Sequence, residues 1–168
     1  MRVLATTRQG PDVTAAGLEH VAYRRPRPWS GQQPRPSTRA AVDFLAMVGD
    51  RAYGRDLAET LATRPADVVM VDAMIPAASL AAARLGVPNA VLMHTFARFF
   101  LSPALEAAGR LRGFSPRRAW ARASAVLVVS DAELDPAHGT ARAASFEWTG
   151  VAEQHPTALP RESTPRTG

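Results

Sequence analysis

Two residues of this chain combine a reactive side chain with a place where such side chains are used. Asp72 ends the apolar run Val68-Val69-Met70-Val71, and His94 ends the run from Pro88 to Met93. A carboxylate beside an imidazole orients the ring, raises its basicity and stabilises its cation, which makes the imidazole a competent general base. That chemistry requires the two groups to come within about 3 Å of each other. Each residue also has an architectural reading. Asp72 precedes a helix predicted to begin near Pro76 and would accept backbone N–H groups there. His94 would tie its ring to the backbone of a strand-end turn. Thr6-Thr7 and Ser130-Asp131 also end apolar runs. His20 lies inside an alternating segment, where a structural role is expected, and His138 and His155 fall in loop and tail.

The elements that must position Asp72 and His94 are written plainly. Asp67 to Val71 and Pro88 to Met93 are continuous apolar runs, the pattern of strands in a parallel sheet covered by helices on both faces. Between them Pro76 opens a helix to Leu85, and Gly86 stops it. Strand, crossover helix and strand with short links form a right-handed βαβ unit. Neighbouring strands lie about 4.8 Å apart, so the two strand ends fall within reach of each other.

The remaining chain reads in the same style. Arg2 to Thr7 is a first strand, Arg8 to Thr14 a connection, Gly17 to Arg24 a second strand, and Pro26 to Pro36 an irregular loop. Ser37 or Thr38 caps a helix that continues to Leu61, weakened or kinked at Gly49 and Gly54 and stopped at Arg64-Pro65. Ala97 to Arg112 is helical with a break at Pro103; Pro116 to Ala123 is a short helix anchored by Trp120. Ala125 to Val129 and Ser145 to Thr149 are further strands, and the chain from Gln154 reads as a disordered tail or severed linker. Alternating strands and helices give an α/β fold with a mostly parallel sheet, and ligands of such sheets bind outside the carboxyl ends of the strands.

Composition narrows the classes. The chain of 168 residues is expected to form one domain. No apolar run approaches the ~20 residues of a membrane helix, and the first residues turn polar too soon for a signal peptide. Cytoplasmic residence is the expectation. With no cysteine, disulfides and thiolate chemistry are excluded. The net charge is +5 and every basic side chain is arginine. The arginines are scattered among alanines, as GC-rich codon usage produces, rather than gathered into a nucleic-acid-binding patch. "RQGPD" after the first strand has one glycine, so it is neither a dinucleotide fingerprint nor a phosphate loop. Gly-x-Ser-x-Gly is absent, and no His/Glu spacing suits a metal. The aromatic group Phe96, Phe99 and Phe100 suits either an apolar pocket or the core.

The stretch Val68-Val69-Met70-Val71-Asp72, Pro76-Ala77-Ala78 through Leu85-Gly86-Val87-Pro88, and Val91-Leu92-Met93-His94-Thr95-Phe96 resembles the N-terminal domain of bacterial family 1 glycosyltransferases of the two-domain GT-B type that decorate natural products. The openings "MRVLATT" and "AAGLEHVAYRR", the segment "ASAVLVVSDAELD" and "FEWTGV" are similar to the same family. The resemblance implies a Rossmann-like, acceptor-binding domain over residues 1–153. It implies a reaction in which a sugar passes from a nucleotide-sugar to an acceptor hydroxyl with inversion. Asp72 matches the aspartate that supports the family's catalytic histidine. His94-Thr95 matches a pair bordering the acceptor pocket, which Phe96 and Phe99 would extend.

Two departures change what is expected. The histidine-bearing loop, helix and second strand of the family would lie between Thr7 and Ala15, where only Arg8 to Thr14 stands, so about thirty residues, one βαβ segment, are missing. The nucleotide-sugar site belongs to a C-terminal domain that the segment after Gln154 does not resemble, so no cofactor is expected on these residues. The expectation is an incomplete GT-B N-terminal domain, inactive alone. It would take a small apolar acceptor and pair with a separate donor domain or a homologous protein. The alternatives are a non-catalytic binding protein or gene remnant. Outside the resemblance stands a flavodoxin-like domain using Thr6-Thr7 and Ser130-Asp131, against which the missing phosphate loop counts. The deletion should also leave a gap in the sheet and an uncovered apolar face.

Overall fold

The computed structural model describes residues 1–27 and 37–150; most of the predicted loop from Pro26 to Pro36 and the whole tail from Gln154 lie outside the described residues. The chain opens with β1 (Arg2–Ala5), a 3-10 turn (Thr7–Gln9), α1 (Gly10–Ala15) and β2 (Glu19–Ala22). The segment from Arg8 to Thr14, expected as a plain connection, is therefore helical. Its local chemistry explains why. The Gln9 side chain accepts from Thr6 N at 3.2 Å and from Thr6 Oγ1 at 2.8 Å, and Pro11 sets a helical φ in the first turn of α1. This short crossover lays β2 parallel to β1, with Leu4 opposite Val21 and Ala5 opposite Ala22.

The long predicted helix is two: α2 (Ser37–Val48) and α3 (Ala52–Thr63). They part after Gly49, where Asp50 Oδ1 accepts from Ala52 N at 2.8 Å and starts the second helix. Then follow β3 (Val69–Asp72), α4 (Pro76–Arg84), β4 (Asn89–Met93), α5 (Ala97–Phe100), α6 (Pro103–Leu111), α7 (Pro116–Trp120), β5 (Ala125–Val128) and β6 (Phe146–Trp148). Gly54 lies inside α3 without breaking it. A Cβ there would stand 2.5 Å from Ala77 O of α4, so the glycine is what lets the two helices approach.

β3, β4, β5 and β6 pair side by side and all parallel. The register places Val71, Val91 and Val126 in one row and Asp72, Leu92 and Leu127 in the next. The first row and its equivalents face the helices. Val91, Met93, Val126 and Val128 pack with Phe100, Leu105 and Trp120, and Val71 packs with Tyr53, Leu57 and Ala78. Asn89 is buried on this face because its Oδ1 accepts from Ser79 Oγ at 2.8 Å. The alternate row looks the other way. Leu92 and Leu127 are half-buried, and Met70 is 63% exposed.

The fold is thus α/β with parallel sheets flanked by helices, but the sheet is in two pieces. A doubly wound sheet sets its first strand beside its fourth. Here β1 pairs with β2, and no ladder joins either to β3. Side chains make the junction instead. Leu4 and Tyr23 pack on the Tyr53–Val71 cluster, and Arg2 Nη1 donates to Arg64 O at 3.2 Å. Arg64 pairs with Glu19, and Arg25 bridges Asp56 at 2.6 Å and Glu59 at 2.5 Å. Beside this break Val68 and Met70 are each 63% exposed.

One buried carboxylate ties the strand-end loops together. Asp135 is only 3% exposed. Its Oδ2 accepts from Ala97 N at 2.6 Å and Ser130 Oγ at 3.2 Å, and its Oδ1 from Ala137 N at 3.0 Å and, more weakly, Arg98 N at 3.4 Å. The loop after β5 thereby caps the helix that follows β4. Burial pushes the Asp135 carboxyl up, but these donors outweigh it and hold it below its ordinary value of 3.8.

Three outcomes are expected from this architecture. Gly54→Ala should destabilise the chain by about 1–3 kcal/mol in urea unfolding, because α3 and α4 must move apart. Light scattering should show concentration-dependent association that the double change Val68→Lys/Met70→Lys reduces, since both residues are 63% exposed at or beside the edge strand β3. Asp135→Ala should cost about 2–4 kcal/mol at neutral pH by leaving buried donors unmatched. Because the folded value lies below the unfolded one, the carboxylate's contribution is complete above the ordinary aspartate value and drains away as pH falls through the folded value. Asp135→Asn should therefore flatten the acid limb of a Tm profile below about pH 4.

Candidate functional site

Asp72 is the last residue of β3, and His94 follows the end of β4 by one residue. Because Asp72 sits opposite Leu92 in the parallel register, the two side chains leave the sheet at the same rim. His94 Nδ1 lies 3.3 Å from Asp72 Oδ2. The other oxygen, Oδ1, accepts from Met74 N at 2.7 Å in the turn before α4. Asp72 thus makes two contacts, one with the backbone of the turn and one with the imidazole. One oxygen fixes the turn, and fixing the turn aims the other at the imidazole. The pair is open to solvent, with side chains 46% and 47% exposed. With Nδ1 turned to the carboxylate, Nε2 is the ring atom left to meet a ligand.

Aromatic rings flank this pair. The His94 ring meets Phe100 edge-on at 5.9 Å, Phe100 stands edge-on to Phe99 at 5.3 Å, and Phe99 is 5.9 Å from Phe44 of α2. Phe100 is buried against Trp120. Phe96 and Phe99 are 44% and 46% exposed and, with exposed Thr95, line the segment that runs from His94 into α5. Of the three phenylalanines, one is core and two remain on the surface beside the imidazole. Nearby, Tyr23 follows β2 and stacks edge-on to Tyr53 at 4.9 Å. Burial first, then Tyr53, Asp56 and Asp72, push its phenol well above the usual range, so it stays neutral.

The other candidates take structural places. Thr6 holds the 3-10 turn, Ser130 donates to Asp135, and Asp131 Oδ1 accepts from Glu133 N at 2.8 Å. His20 is held against Gly10, where a Cβ would come within 2.9 Å of its Nδ1, and its Nε2 is buried without a partner. The His138 ring packs edge-on to Trp148 at 4.8 Å, and His155 lies outside the described residues. Among the described residues, His94 is the imidazole that meets Asp72, and no group of three His, Asp or Glu side chains is disposed to hold a metal ion.

Two residues that position the site escape a sequence reading. Asp135 caps α5 and so sets where His94 to Phe99 lie. Glu106, 7% exposed, accepts from Ser115 Oγ at 2.6 Å, Arg110 Nε at 3.0 Å and Arg117 N at 3.3 Å, fixing the turn before α7 and with it Trp120. Glu106 carries a signal, an acidic residue beside Leu105 and Gly109 on the buried face of α6; Asp135, in a loop, carries none.

Neither a protein-family model nor a curated protein matches the sequence. Solved structures do match. The kitacinnamycin glycotransferase superposes with a TM-score of 0.64 at 16% identity, over 98% of this chain and 48% of that one. The calicheamicin glycosyltransferase gives 0.55 at 19% identity, over 89% of this chain and 45% of that one. The chain spans about half the length of these enzymes. No helix among the described residues is long and apolar enough to cross a membrane. By its parallel sheets, flanking helices and these likenesses, the chain has the fold of part of a natural-product glycosyltransferase of the GT-B kind.

Proposed function

We propose that this chain is the acceptor-binding part of a sugar-transfer apparatus, taking an apolar natural product that carries a hydroxyl. The observation that carries the reading is the His94–Asp72 pair, open to solvent at the carboxyl rim of the sheet beside exposed Phe96 and Phe99. The phenylalanines offer an apolar surface for a ring system. The imidazole, oriented by the carboxylate, offers Nε2 to the hydroxyl. In transfer the hydroxyl O–H bond breaks, its proton passes to His94, and its oxygen bonds to the anomeric carbon as the nucleoside diphosphate departs with the old C–O electrons. General-base assistance of this kind contributes typically about 10²–10⁴-fold.

The resemblance assigns the proton to a histidine after the first strand, a position that has none here. His94 replaces it by approaching the same carboxylate from the neighbouring strand. The nucleotide-sugar needs a facing wall, which the fold neighbours' length suggests is a further domain of about equal size. The described residues alone should bind acceptor without transferring sugar to it, because the proximity of the two substrates is lost. A non-catalytic role as an acceptor-holding protein would use the same face.

Equilibrium dialysis against a panel of polycyclic phenols is the direct test. Binding should be detectable, and Phe99→Ala should weaken it about tenfold, as expected for loss of one half-buried ring. Mixed with a glycosyltransferase donor domain and a nucleotide-sugar, the chain should support transfer that His94→Gln reduces about 10²-fold or more. Transfer unaffected by that change, or no phenol binding, would refute the proposal.

A further inference from the structure

Two clefts among the described residues differ sharply in chemistry. The larger, about 720 Å³, lies between β2 and α3. Its carboxylates are already matched: Glu19 pairs with Arg64, and Asp56 and Glu59 pair with Arg25. The smaller, about 520 Å³, lies between α5, the start of α6 and the segment from Pro136 to Arg142. It is within the size range of small-ligand sites. Leu101 and Ala137, both nearly buried, and Pro103 give it apolar walls. Two arginines, Arg98 and Arg142, line it, and no carboxylate does.

Neither guanidinium has a carboxylate partner among the described residues, and both side chains belong to exposed residues. The hydroxyls of the cleft are engaged. Ser102 Oγ accepts from Leu105 N at 3.4 Å, and Thr140 Oγ1 donates to Ala137 O at 2.7 Å. Asp135 lies beneath, but its charge is taken up by the backbone and Ser130 donors already described. The unmatched charge of the cleft is therefore cationic and fork-shaped, the form that suits a carboxylate.

We propose that this cleft is a carboxylate subsite, and that the ligand of this rim is an apolar molecule bearing a carboxylate held by Arg98 and Arg142. The inference rests on the acceptor reading and narrows it. Arg98 sits between Phe96 and Phe99 in sequence, so the cationic cleft and the aromatic surface share the single turn of α5. A ligand whose ring system lies on the phenylalanines reaches the cleft with a carboxylate across that turn.

The test compares 2-naphthoate with its neutral isostere 2-naphthamide by equilibrium dialysis on the full chain. Naphthoate should bind about tenfold more tightly, as one charge-assisted contact pair provides. That preference should shrink as NaCl rises and should vanish in Arg98→Gln/Arg142→Gln, which leaves naphthamide binding unchanged. Both substitutions are at exposed positions, and an unaltered circular dichroism spectrum and Tm confirm the fold of the variant. Equal binding of the two ligands, or a preference that survives the double substitution, would overturn the subsite and leave the acceptor reading standing. Failure of both ligands to bind would overturn both. Naphthoate binding lost in the arginine variant but untouched by Phe99→Ala would support the subsite while detaching it from the aromatic face.

Discussion

A single carboxylate under the carboxyl rim holds this surface in place. Asp135 accepts hydrogen bonds from the first residues of α5, from the residue that ends the β5 run, and from its own loop. A buried charge is tolerable only when its lone pairs are matched, and here donors from three segments match them. The consequence is positional. The segment from His94 to Phe99 leaves β4 between two ties, the His94–Asp72 contact at its start and the bond from Ala97 N to Asp135 at the first residue of α5. Asp72 acts likewise at the end of the neighbouring strand, with one oxygen fixing a turn and the other meeting the ring. Asp72 divides its oxygens between a backbone turn and the imidazole, whereas Asp135 gives both of its oxygens to backbone N–H groups and Ser130.

Much of this was legible in the residues. The continuous apolar runs around Val71, Val91 and Val126 are strands at the expected places, and Pro76 and Gly86 bound the crossover helix between the first two. The approach of His94 to Asp72 follows from two parallel strands ending together, and needs no more than their spacing. What escaped reading depends on contacts distant in sequence. Whether Phe99 or Phe100 turns inward is decided by Trp120, which is far along the chain. That Gly54 serves helix contact rather than helix bending is decided by Ala77. Asp135 reads as an ordinary loop acid until Ala97 is brought to it.

The short crossover after β1 had a different cause of misreading. Pro11 and Gly10 are common in loops, yet the Gln9 side chain closes the turn at Thr6 and the proline suits a first helical turn. Gly10 has a further use: it leaves room for the His20 ring. That contact claims His20 for packing, so its imidazole is placed away from the rim chemistry.

The interruption between β1 and β3 has a mechanical meaning. Cooperativity within a sheet passes through the ladder of backbone hydrogen bonds, and here the ladder stops between the first βαβ unit and everything after it. Side chains bridge the break: Leu4 and Tyr23 on the Tyr53–Val71 cluster, and the ion pairs of Arg64 with Glu19 and of Arg25 with Asp56 and Glu59. The segment from β1 to β2 is therefore held to the four-stranded body through side chains, and parting the two would break no rung of the larger ladder.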